Sequence, residues 1–168
     1  LGLEAGAGLT LDSPRGLFQR TVVRALQLLP LAPGRGRLQL RAEGGVVISQ
    51  ANTRVPTTQL FRTGGDTSVR GYGFRDIGVE RPGAPVSAGR YLAVGSLEWQ
   101  RPLRRGGEAT PWEQAVFIDA GLVADRGSAR RASVGVGTGL RYASPVGPLR
   151  VDLAYGLRVH RLRLHLSV

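Results

Sequence analysis

Chemistry in this chain concentrates on a few charged positions. Arg70 stands at the tip of FRTGGDTSVRGYGFRDIG (residues 61–78), which holds five glycines, three arginines and two aspartates and breaks the hydrophobic alternation around it. Asp119 stands mid-way along EQAVFIDAGLVA (113–124), where Val116, Ile118, Ala120 and Leu122 share one face and Phe117, Asp119 and Gly121 the other. Glu98 in LEWQRPL has the same orientation as Asp119, with Leu97 and Trp99 on the opposite face. A carboxylate fixed mid-strand on an inner face is costly without a cation. The planar fork of an arginine is the group such a carboxylate accepts bidentately. Gly64, Gly65, Gly71 and Gly73 give the tip Val69-Arg70-Gly71-Tyr72 the freedom to fold inward. The expectation is a lock: the loop enters a confined interior and Arg70 meets Asp119, with Glu98 as a secondary interior charge. The competing expectation is a solvated surface loop, with Asp119 paired to Arg141 or Arg150 on neighbouring strands.

Other chemistries find little support. A phosphate cradle of the P-loop kind needs a lysine, and the chain has none. No G-x-G-x-x-G opens a helix. His160 and His165 lie five apart, on opposite faces of a strand, and lack a third ligand for a metal. His165 and Ser167 share a face, but no nucleophile motif accompanies them. No enzyme, cofactor or metal site is expected.

The elements that position Arg70 and Asp119 follow a period of two. In LRVDLAY (149–155), Leu149, Val151, Leu153 and Tyr155 alternate with Arg150, Asp152 and Ala154; in RLRLHLSV (161–168), Leu162, Leu164, Leu166 and Val168 alternate with Arg161, Arg163, His165 and Ser167. Residues 133–142 set Val134, Val136, Thr138, Leu140 and Tyr142 against Ser133, Gly135, Gly137, Gly139 and Arg141. Such alternation predicts strands. Eight are expected, over 1–12, 18–30, 36–50, 90–103, 113–124, 132–143, 149–157 and 160–168. Turn signals separate them: Ser13-Pro14-Arg15-Gly16, Ala32-Pro33-Gly34, Arg105-Gly106-Gly107 and Ser144-Pro145-Val146-Gly147-Pro148. One connection, about 51–89, is long and contains Arg70.

The polar face mixes Gly with Arg, Glu and Asp, as a wet barrel interior would. The apolar face is Leu, Val and Ala, with Tyr91, Trp99, Tyr142 and Tyr155 near strand ends, where a membrane barrel has its aromatic girdles. An all-β transmembrane antiparallel barrel is therefore expected over a soluble sandwich. No apolar run reaches the length of a spanning helix. The chain starts within a strand and lacks a basic leader region, so it reads as a fragment or processed piece. Its 168 residues carry 23 arginines and a net charge of +11, which suits anionic partners. The arginines are spread through strands and loop ends rather than along one helix or aromatic platform. They suit a barrel interior and the phosphates of outer-membrane lipid and lipopolysaccharide, and no nucleic acid is expected. Cysteine is absent, which excludes a disulfide framework.

Four stretches together resemble the Omp85 superfamily of outer-membrane proteins. LFRTGGDTSVRGYGF resembles its loop-six motif and VFIDAGLV its inward F-x-D-x-G strand motif, matched here by Phe117, Asp119 and Gly121. GTGLRYASPVGPLRVDLAY and GSLEWQRPL resemble its late strands. Their wording is most similar to the TamA-type, surface-antigen-D15-like branch. The resemblance implies the C-terminal eight strands of a sixteen-stranded barrel, with POTRA domains upstream, in a bacterial cell outer membrane. It implies insertion or secretion of nascent β-barrel or autotransporter substrates at an open strand edge, without covalent chemistry. It also implies a TamB-like inner-membrane-anchored partner. A two-partner secretion transporter, a BamA-type subunit and a passive channel are the alternatives.

Overall fold

Alternation carries through to the computed structural model, which describes residues 1–11, 15–50, 52–145 and 147–167. Eight long strands form one antiparallel sheet: β1 (Gly2–Thr10), β2 (Gly16–Pro30), β3 (Arg37–Ser49), β6 (Tyr91–Arg105), β7 (Glu108–Ala124), β8 (Ser133–Ser144), β9 (Gly147–Gly156) and β10 (Arg161–Ser167). They pair in chain order, each with its sequence neighbour, and the long connection adds a small hairpin of β4 (Val79–Arg81) and β5 (Ala84–Ser87). Among the described residues β1 pairs only with β2 and β10 only with β9, so both present one open edge. Of the expected elements, Asp12 of the first strand, Ser13, Pro14 and Val146 of two turns, Ala51 of the long connection and Val168 of the last strand lie outside the described residues.

Strand ends differ from expectation by about two residues at several turns, where Gly16, Gly147 and Pro148 lie in strands, and by most at one hairpin. β6 and β7 run on to Arg105 and from Glu108, leaving Gly106 and Gly107 as a two-residue turn with φ of 60° and 89°. Pro111 cannot donate to the ladder, and the register shifts between Pro102 and Arg104 to absorb it. The Thr110 hydroxyl donates to the Leu103 carbonyl at 2.8 Å across that irregularity.

The two faces of the sheet have opposite chemistry. Leu162, Leu164 and Leu166 remain 65%, 63% and 67% exposed, with Val116, Ile118, Leu140, Val151 and Leu153 also on the outside, as a lipid-facing surface requires. Outward Tyr91, at the start of β6, and outward Trp99, past its middle, stand about 26 Å apart at the usual strand rise, which matches the height of a bilayer's apolar band. Trp112 packs on Tyr142 at the Trp99 end, with ring centroids 4.8 Å apart.

The inner face departs from a uniformly wet interior. Towards the long loop it is apolar: Val22, Val47, Leu92, Val94 and Val123 are buried there against Val55, Phe61, Val69, Tyr72, Ile77 and Val79 of the loop. Full burial of each such side chain stabilises by about 1.5–3 kcal/mol. The loop, rather than a second sheet, is therefore what the concave face packs against. The charges expected inside gather in the other half.

Because the chain lacks cysteine, face assignment can be checked one residue at a time. Leu164→Cys should react with a lipid-phase thiol reagent in membranes. Arg163→Cys should react only with a small water-soluble one. Reversed labelling would refute the assignment of faces.

Candidate functional site

Arg70 enters this interior because its loop is built to turn inward. Gly64 and Gly65 adopt φ of 107° and 112°, which only glycine holds without strain, and Gly65 N–H closes a tight turn onto the Val69 carbonyl at 3.2 Å. Gly71, at φ 91°, lies so close to β9 that a Cβ would stand 2.7 Å from the Gly156 nitrogen. Val69 is fully buried, and Gly121 on β7 makes its room: a Cβ there would stand 2.5 Å from a Val69 methyl. Tyr72 spans to β8 by donating to the Val134 carbonyl at 3.1 Å and accepts from the Arg158 N–H at 3.2 Å.

Arg70 is 5% exposed, and its guanidinium meets three carboxylates on three strands. Its Nε and Nη2 donate to the two oxygens of Asp119 at 2.7 and 3.0 Å, and its own backbone N–H donates to Asp119 at 3.1 Å. Nη1 reaches Glu98 at 2.6 Å and Asp152 at 3.0 Å. The Phe117 ring lies flat beneath it, 3.3 Å from the guanidinium carbon to the centroid. Burial opposes the charge on Arg70, but hydrogen bonding and attraction from Asp119, then Glu98, outweigh it and hold its pKa above the ordinary arginine value.

Asp119 is fully buried and takes a further bond from the Ser96 hydroxyl at 2.6 Å. Glu98 accepts from Gln100 at 2.7 Å and from Arg141 at 3.0 Å. Arg141 also engages both oxygens of Asp152, so Arg141 and Arg70 bridge the same pair of acids. The competing pairing is not adopted: Arg141 serves Glu98 and Asp152 rather than Asp119, and Arg150 is exposed.

Several partners were not assigned from sequence. Asp152 carries the same signal as Asp119, an inward acid in mid-strand. Arg41 on β3 donates to the Thr67 and Ser68 carbonyls, the latter at 2.9 Å, and so grips the backbone just before the tip. His165 on β10 accepts from the Gly71 N–H at 3.1 Å, which occupies its Nε2. Neither of these last two contacts has a sequence signature, because a backbone group of the loop is the partner. The glycines of β8 are explained by the same docking: a Cβ on Gly135 would collide with the Arg70 carbonyl, and one on Gly137 would meet the Phe117 ring at 2.5 Å.

The arrangement does no bond-making chemistry; it fastens a loop inside a sheet. Removing one partner of a buried, hydrogen-bonded ion pair costs about 3–5 kcal/mol. Arg70→Ala should therefore lower unfolding stability by about that much and expose the loop at Asp66–Ser68 to protease. Arg70→Lys should not restore it, since an ammonium cannot span three carboxylates in one plane. A second variant, Gly135→Val, should release the loop while leaving every carboxylate in place. Protease resistance of the loop in both Arg70→Ala and Gly135→Val would overturn the docking.

Residues 20–161 match the Omp85 superfamily domain. The chain is 33% identical over 162 residues to outer envelope protein 80, chloroplastic, of Arabidopsis thaliana, covering 90% of this chain and 19% of that protein. It is 35% identical over 109 residues to outer envelope protein 39, chloroplastic, of the same plant, covering 57% of this chain and 26% of that one. The chain thus spans about a fifth to a quarter of these relatives. In fold it is similar to the crystal structure of BamA from Haemophilus ducreyi lacking POTRA domains 1–3, with a TM-score of 0.72 at 19% sequence identity, over 98% of this chain and 37% of that one. An inward loop bearing Val-Arg-Gly-Tyr, a strand bearing Phe-x-Asp-x-Gly and a match across most of the chain agree: this chain belongs to the Omp85 superfamily.

Proposed function

We propose that the chain is part of an outer-membrane factor that assembles or translocates proteins, and that it contributes the C-terminal eight strands of a sixteen-stranded barrel. The observation that carries this reading is the docked Arg70, held by Asp119, Glu98 and Asp152, in a chain that belongs to the Omp85 superfamily. A plugged interior suits a protein that works at its wall. An open edge such as that of β10 offers unpaired N–H and C=O groups to an incoming strand, and pairing there needs neither cofactor nor covalent step.

The finer reading is a TamA-type factor in a bacterial outer membrane, surrounded by lipopolysaccharide. It would take nascent β-barrel or autotransporter substrates and a TamB-like inner-membrane partner. Its support is the wording of the loop, the F-x-D-x-G strand and the late strands. The likeness to BamA in fold keeps a BamA-type subunit as the second reading. Upstream POTRA domains, and a neighbouring gene for a very long TamB-like protein, distinguish the two.

In the full-length protein, Arg70→Ala and Asp119→Ala should each impair insertion of a model β-barrel substrate into liposomes. The double variant should lose little more than either alone, because both remove the same contact. Additive losses would mean the residues act separately, and the lock would have to be abandoned as the basis of activity. For a passive channel the outcome differs: Arg70→Ala would raise ion conductance and leave substrate insertion untouched.

A further inference from the structure

A second concentration of charge lies at the loop end, apart from the lock. There a cleft of about 590 Å³ is walled by three separate segments of chain. Glu80 and Arg81 come from the β4–β5 hairpin, Arg126 and Arg131 from the β7–β8 connection, and Arg158 from the β9–β10 turn. Four arginines and one glutamate thus line it. Val123, on the inner face of β7 and 2% exposed, contributes to the floor, so the cleft opens at the mouth of the interior rather than on the lipid side.

The contacts already made show what the cleft accepts. Arg158 Nη2 donates to both oxygens of Glu80, at 3.0 and 2.9 Å, so one carboxylate is seated there by the chain itself. Arg126 is already engaged, donating from Nη2 to the Ser49 carbonyl at 3.0 Å, and the turn that carries it is tied by Asp125 N–H to the Ser128 hydroxyl at 2.8 Å. Asp125 is taken up by Arg90 at 2.8 and 3.1 Å and does not offset the cleft. Among the described residues, no hydrogen bond or ion pair engages the guanidinium of Arg81 or Arg131, both exposed. Like charges converging from three segments repel unless anions sit between them, and guanidinium forks match carboxylates in geometry.

The geometry points to an anion-binding cleft for an acidic polypeptide segment, one presenting two or more carboxylates at the mouth of the barrel interior. Arg81 and Arg131 are the forks that would receive it, beside the Arg158–Glu80 pair. The assignment to polypeptide rests on the assembly reading above and on the opening towards the interior. A lipid phosphate would have to arrive over the rim of the wall.

The test uses the full-length protein in detergent micelles and a fluorescein-labelled hexaglutamate peptide, with binding followed by anisotropy at low and high salt. Arg81→Ala/Arg131→Ala alters exposed side chains whose guanidinium groups have no partner among the described residues, and should weaken binding by about tenfold or more, as expected for two lost charge-assisted contacts. Arg104→Ala/Arg105→Ala, at the opposite end of the barrel, removes the same charge and should leave the affinity unchanged. Equal losses in the two variants would make the binding a property of overall charge, and no loss in either would place it elsewhere on the protein; each overturns the cleft. Lipopolysaccharide micelles are the second arm. If they displace the peptide and their own binding depends on Arg81 and Arg131, while the peptide alone binds only weakly, the site belongs to a lipid phosphate. Substrate insertion is measured in parallel. No peptide binding by a protein that still inserts substrates overturns the cleft alone, and peptide binding without insertion sinks the assembly reading alone.

Discussion

One guanidinium group decides how the interior is organised. Arg70 is buried, and a buried charge is tolerated only when its donors are matched by acceptors in good geometry. Asp119, Glu98 and Asp152 supply that match from β7, β6 and β9, and Phe117 supplies a flat apolar floor. Because the three acids belong to three strands, the loop has one place to dock, and the strands have one spacing that satisfies it. Without the cation, Asp119 would lose the one ion pair it makes among the described residues, and Glu98 and Asp152 would be left to Arg141 alone.

The rest of the loop follows from that anchor. Arg41 of β3 holds its backbone on one side, and Tyr72 and Gly71 bind β8 and β10 on the other. The tip thereby touches β3 and β6 through β10, which makes the loop the core of a sheet that has no facing sheet. This is the reverse of a soluble fold. The outer surface is apolar because lipid covers it, and the inner surface must be satisfied by the chain's own loop. The valines of β2, β3, β6 and β7 that face inward near the loop would otherwise line a water-filled space.

The glycine content of β8 acquires its meaning here. A strand with Gly135, Gly137 and Gly139 on one face is weak by propensity, yet side chains there would occupy the space of Arg70, Phe117 and Asp152. Local strand stability is given up so that the loop backbone can approach the wall. Among the described residues the docking takes up no hydrogen-bonding group on the outer edge of β10, and the hydrogen bond from the tip to β10, Gly71 to His165, is made through a side chain on the inner face. A wall strand can thus be tied to the plug without losing the hydrogen-bonding edge on which pairing with another strand depends.

The sequence by itself determined the eight strands, their antiparallel order and which side chains point in or out. A period of two leaves each residue only one choice of face, and it set Asp119, Glu98 and Asp152 inward together. Composition also marked the loop, because five glycines around one charged tip have no use in a straight strand. Only the tertiary structure decided that Arg70 is shared among three acids, that Arg141 bridges two of them, and that Arg41 and His165 bind loop backbone. Each of these depends on distances between segments far apart in the chain, and a backbone carbonyl or N–H has the same signature at every residue. The dry half of the interior was illegible for the same reason. Inward valines read as strand residues until the loop that covers them is in place.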